Sequence, residues 1–184
     1  LDLSGLLGGT VANSGSIDVA SSTMKGGSAT ILGERVSVEG LVDASGAIGG
    51  GQVLIGGDYQ GSNLDFSNAQ TANVSGSIFA DSSSSGDGGR VIIWADGVTT
   101  FTGDLSATGS GAGSGGCAEI SGKDILNFEG SVDLTSASGV SGTLLLDPTN
   151  IIISNVGSHT SISGSTTLEP SAAAGSVISL SPLN

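Results

Sequence analysis

The chain has 184 residues, 33 of them glycine, with 37% hydrophobic and only 3% aromatic residues, and a formal net charge of −13 from 17 acidic and 4 basic side chains. So few Lys and Arg exclude a phosphate-binding face for nucleic acid and disfavour an anionic membrane surface, while the acidic surplus favours solubility and attracts divalent cations. The single cysteine, Cys117, excludes an intrachain disulfide framework, and no apolar run approaches the roughly 20 residues of a membrane-spanning helix.

The first run, Leu1–Leu7 (LDLSGLL), is strand-like and has neither an initiator Met nor a signal sequence, as in a segment of a longer polypeptide. A unit then recurs at intervals of roughly 25 residues, the mark of a solenoid. Its first part reads KGGSATILGE from Lys25, GGGQVLIGGD from Gly49, DGGRVIIWAD from Asp87 and SGGCAEISGK from Ser114. Its second part reads VEGLVDAS from Val38, VSGSIFAD from Val74, FTGDLSAT from Phe101 and FEGSVDLT from Phe128.

Alternation assigns the faces. Aligned on Gly27, Gly51, Gly89, Gly116 and Gly142, the second following position holds Ala29, Val53, Val91, Ala118 and Leu144, and the fourth holds Ile31, Ile55, Ile93, Ile120 and Leu146. These columns read as buried, and the positions between them (Thr30, Leu54, Ile92, Glu119, Leu145) as outward. Aligned on Gly15, Gly40, Gly76, Gly103 and Gly130, the second part adds buried columns containing Ile17, Val42, Ile78, Leu105 and Val132, and Asn13, Val38, Val74, Phe101 and Phe128. Three short strands per unit in register between units predict an all-β fold, a right-handed parallel β-helix of about six or seven coils over residues 1–153, with Phe101 stacked on Phe128.

One unit is longer than the rest and carries an insertion, DYQGSNLDFSNAQ, from Asp58 to Gln70. Such an insertion maps to a loop on one face, commonly the face that carries function. Beyond Ile151–Ile153 the Ser/Thr-rich stretch 154–184, with a last strand-like run Ser176–Leu180, reads as degenerate further coils or a boundary to a following domain. Neither terminal run looks like a capping helix, so both ends read as strands awaiting a neighbour, in a longer chain or in an end-to-end stack.

The blocks GGQVLIGGDYQG, GDGGRVIIWAD and GTLLLDPTNI resemble the filamentous-haemagglutinin-like exoproteins of bacterial two-partner secretion, over about Lys25 to Ile153. The similarity is to the stretch beyond the secretion domain, since NPNL- and NPNG-type motifs are absent. The resemblance implies a right-handed β-helical shaft. It also implies export through an outer-membrane transporter, residence at the bacterial surface or outside the cell, and a part in adhesion to a host or neighbouring cell. It carries over no catalytic residues.

Motifs for chemistry are few. GAGSGG (Gly111–Gly116) satisfies the dinucleotide fingerprint, but an alternating strand follows it where a helix is required, so it reads as a corner. The lone His159 has no clustered partners for zinc, and no GxSxG is present for a nucleophile. Cys117 stands on the outward parity with Arg90 in the equivalent place one coil earlier; a cation so placed lowers a thiol pKa, though a variable surface column accounts for the residue as well.

Glu34, Asp58 and Asp96 share one offset from the glycine pair, and Asp18, Asp43 and Asp133 share another. Stacked acids repel, so they must splay at corners, take up protons or bind a cation. Calcium is the cation they would suit, with Glu34, Asp58 and Asp96 as its candidate ligands, although solvated corner acids need no cofactor. Tyr59, opening the insertion, and Trp94, on the outward parity, are candidate carbohydrate contacts. No catalytic residue is expected. The whole reads as a structural shaft, not an enzyme, with a β-helical polysaccharide-binding or polysaccharide-degrading protein as the alternative.

Overall fold

The computed structural model describes residues 2–4, 8–147, 149–153, 161–163 and 165–168; His159 and the run Ser176–Leu180 lie outside them. The chain winds through β1 (Asp2–Ser4), β2 (Thr10–Asn13), β3 (Ser16–Asp18), β4 (Ser28–Leu32), β5 (Arg35–Val38) and β6 (Leu41–Asp43). The coil β7 (Gln52–Ile55), β8 (Thr71–Val74) and β9 (Ser77–Phe79) holds the insertion between its first two strands. Then come β10 (Arg90–Ala95), β11 (Val98–Phe101), β12 (Asp104–Ser106), β13 (Cys117–Gly122), β14 (Ile125–Phe128) and β15 (Ser131–Asp133). β16 (Thr143–Leu146) and β17 (Asn150–Ile153) follow, and β18 (Ser161–Ser163) and β19 (Ser165–Leu168) continue the stack beyond Ile153.

Every third strand pairs in parallel, giving three sheets: β1-β4-β7-β10-β13-β16-β19, β17-β14-β11-β8-β5-β2 and β18-β15-β12-β9-β6-β3. The parallel three-strand coil expected from the sequence is therefore the fold. It makes about five turns, fewer than the six or seven expected. Two sheets are six strands deep and the first is seven, so β19 extends one face without companions on the other two. At about 4.8 Å per rung, five steps rise roughly 24 Å.

The interior columns form as the alternation predicts. Ile31, Ile55, Ile93 and Ile120 stand opposite one another rung by rung and none is exposed. Phe101 pairs with Phe128 with ring centroids 5.5 Å apart and planes inclined by 23°, an offset stack in the tube interior. Thr99 replaces an aliphatic in the column Val36, Ala72, Thr99, Leu126, fully buried, and its hydroxyl is satisfied by donating to the Ser121 carbonyl at 2.8 Å.

The corners explain the glycine content. At Gly26, Gly50, Gly88 and Gly115 a Cβ would run into the carbonyl of Ala44, Ala80, Ala107 or Leu134 on the neighbouring rung. The second glycine column behaves alike, Gly76 lying on Gly40 and Gly103 on Gly76. Here glycine is required by the approach of backbone to backbone.

Ile92 and Trp94 lie on the outward parity, as expected, but they are not solvent-facing: Leu54 and Ile92 are 2% exposed and Trp94 is 5% exposed. They form a second apolar cluster, separate from the tube interior, packed against Phe66 of the insertion. Periodicity marks a face as outward; it does not say whether another segment covers it.

Ile93→Asp should therefore abolish cooperative unfolding of the middle coils, since an unpaired buried carboxylate costs several kcal/mol. Ile92→Thr should lower stability by about 1–3 kcal/mol, because it removes covered apolar surface and leaves a buried hydroxyl. Exposed Thr102→Ala should change the unfolding free energy measured in urea by at most about 0.5 kcal/mol. Equal shifts for all three would overturn the assignment of faces.

Candidate functional site

The insertion folds down as a cover on the first sheet. Gly56 and Gly61, both at positive φ (76° and 59°), turn the chain out of β7 and through the 3₁₀ turn Tyr59–Gly61. Asp58 caps that turn: Oδ1 accepts the Tyr59 N–H at 2.7 Å and the Arg90 guanidinium at 2.7 Å, and Oδ2 accepts Asn63 Nδ2 at 3.0 Å. Burial alone would push Asp58 up, but the bonds from Asn63, the Tyr59 N–H and Arg90 hold its carboxyl below the ordinary value.

The other end is tied through Asp96, whose Oδ1 accepts both the Trp94 indole N–H and Asn68 Nδ2 at 3.1 Å. Asn68 Nδ2 also donates to the Gly61 carbonyl at 3.0 Å. Gly61 lies so close to the indole that a Cβ would strike Trp94 Nε1, so two independent constraints require glycine there. Asn68 has no marking in the sequence beyond its type, and Arg90 is marked there only as the residue one coil before Cys117; the folded insertion gives both their partners.

Glu119 is the buried acid that alternation could not reveal. It stands on β13 opposite Ile92 and Leu145, and it is 1% exposed. Oε2 accepts the backbone N–H of Gln60 at 3.0 Å, and Oε1 has no partner. Burial pushes its carboxyl up to about 7, against the pull of the Gln60 N–H, the Ser121 hydroxyl and Arg90; Asp147 adds to the rise. The only signal in the sequence is an acid within a column otherwise Thr, Leu, Ile and Leu.

The sequence-selected acids have local tasks. Asp58 and Asp96 pin the insertion as described, whereas Glu34 accepts Gln70 and Thr71 N–H groups only through its backbone carbonyl. Among the described residues no group of three or more His, Cys, Asp or Glu side chains is placed to hold a metal ion. In the other column Asp18 and Asp43 are direct neighbours, yet each turns to a corner amide, Asp18 to Ala20 and Asp43 to Ser45, both at 2.9 Å. Asp133 does the same for Thr135. Such turns satisfy corner N–H groups and splay the like charges.

Of the two aromatic candidates, Tyr59 is 46% exposed while Trp94 is covered. An open groove of about 810 Å³ runs along the glycine corners, past Lys25, Gln52, Asp87, Arg90, Cys117 and Thr143. Cys117 is exposed there as a residue, yet the protein packed around its sulfur pushes the thiol up, outweighing Arg90; the activated thiol considered from the sequence is not formed. No model of a known protein family matches the chain, and no curated protein is significantly similar to it in sequence.

Gly61→Ala should loosen the cover without unfolding the coils, by about 1–2 kcal/mol from the left-handed backbone plus the indole clash. The expected result is red-shifted, more quenchable Trp94 fluorescence with an unchanged far-UV spectrum. Unaltered fluorescence would contradict the contact.

Proposed function

We propose that the chain is a structural shaft segment of a secreted, surface-displayed bacterial exoprotein of the filamentous-haemagglutinin type, contributing to adhesion or to an extracellular filament. The observation that supports this best is the continuous stack of three parallel sheets, in which buried columns run from rung to rung and acids cap corners or hold the insertion. A side chain spent on keeping the next rung in place is the expected economy of a spacer. On this reading the protein is not an enzyme and requires no cofactor. It is exported through an outer-membrane transporter, and meets a host or neighbouring-cell surface outside the cell. Its coils continue in a longer chain or stack end to end on identical copies, without engaging nucleic acid or inserting into a membrane.

The polysaccharide alternative has less support, because Trp94 lies beneath the insertion and cannot stack on a sugar. Two measurements test the proposal. Incubation with uronate and neutral polysaccharides should release no unsaturated or reducing ends; release that is lost in Asp58→Ala or Glu34→Ala would make the protein an enzyme. Light scattering should show mass rising with concentration, as head-to-tail contacts propagate instead of closing. A dilution-independent monomer with both ends protected from hydrogen exchange would overturn the open-ended shaft.

A further inference from the structure

Glu119 is a costly choice for its position. The neighbouring rungs place Ile92 and Leu145 beside it, and either would fill an apolar space without burying a charge. Instead the acid is sealed under the insertion with one oxygen bare and the other accepting the Gln60 N–H at 3.0 Å. Gln60 is itself strained: among the described residues it alone has positive φ without being glycine, at 53°. Its side chain is held at Asp147, Nε2 to Oδ2 at 3.4 Å. The strained residue of the insertion and the buried acid of the sheet are thus each other's partners, an arrangement typical of a switch segment.

We propose that the insertion 58–70 is a flap over the outer face of the first sheet, and that its closure is coupled to proton uptake by Glu119. When Glu119 is neutral, the flap closes over an acid that needs little solvation. When it ionises, a carboxylate with a bare oxygen is trapped in an apolar site, and opening restores its water. The charged groups acting on Glu119 come from two sides. Asp147, following β16, opposes ionisation; Arg90, on β10, favours it but is engaged by Asp58 of the flap. Opening uncovers Leu54, Ile92 and Trp94, an apolar strip outside the shaft.

Glu119 holds its proton more tightly when covered, its carboxyl being raised from 4.5 to about 7. Closure is therefore fully favoured below pH of about 4.5 and is lost progressively up to about 7, with no further loss above that. In the middle of this window each pH unit multiplies the open-to-closed ratio by nearly ten, and the whole rise, from well below 4.5 to well above 7, is roughly 300-fold.

Hydrogen exchange of two flap-covered protons reads that ratio: the Gln60 amide and the indole N–H of Trp94, the only tryptophan in the chain. After correction for intrinsic exchange, their protection should fall roughly 100-fold between pH 4.5 and 7.5, while the Ile93 amide of the sheet keeps its protection. In Glu119→Gln, neutral at every pH, the protection of both should be flat. If that variant does not fold, Glu119→Leu, which matches the Leu145 beside it, carries the same expectation. Flat protection in the unaltered chain, the same fall in the neutral variant, or a parallel fall at Ile93 would each overturn the flap.

Discussion

Everything in this molecule depends on one backbone laid directly on another. A parallel rung is held to the next by hydrogen bonds along three sheets, and those bonds form only if the corners between sheets can approach as closely as the strands do. Glycine permits this: at Gly76 and Gly103 the place a side chain would occupy is filled by the carbonyl of the previous rung. The repeat of glycine pairs is the sequence form of that constraint. Once the corners are close, the side chains between them fall into columns, and the interior becomes stacked aliphatics with a single aromatic pair.

Stacking also multiplies whatever faces outward. A charge repeated in register meets its like at about 4.8 Å, and an apolar residue repeated in register becomes a stripe. The protein meets the first problem at its corners, where Asp18, Asp43 and Asp133 each turn toward a backbone N–H two residues on. It meets the second by covering the stripe. Leu54, Ile92 and Trp94 would present an exposed apolar surface on the outside of a sheet; the insertion closes over them with Phe66, two carboxylate anchors and the Gly61 contact on the indole.

That covering segment is also where the polar chemistry gathers. Asp58 and Glu119 approach the same turn from the flap and from the sheet, and their surroundings drive them in opposite directions, one held ionised by Arg90 and Asn63, the other pushed toward neutrality by burial. A shaft made only of repeats would have no such asymmetry. The insertion gives one face of one coil a local identity, and gives a titrating group something to control.

The sequence by itself determined the tube. Period-two alternation and glycine spacing are local properties, and parallel stacking turns them directly into structure, so the interior columns from Ala29 to Leu146 and the Phe101–Phe128 contact could be read residue by residue. Tertiary structure decided the outside. Alternation names the side of a sheet on which Ile92, Trp94 and Glu119 stand, but their burial depends on where the non-repeating residues 58–70 come to rest, and no period encodes that. The pairings Arg90–Asp58, Asn68–Asp96 and Gln60–Glu119 span 28 to 59 residues and bring a loop to a sheet, so they exist only once the coil beneath the loop has formed.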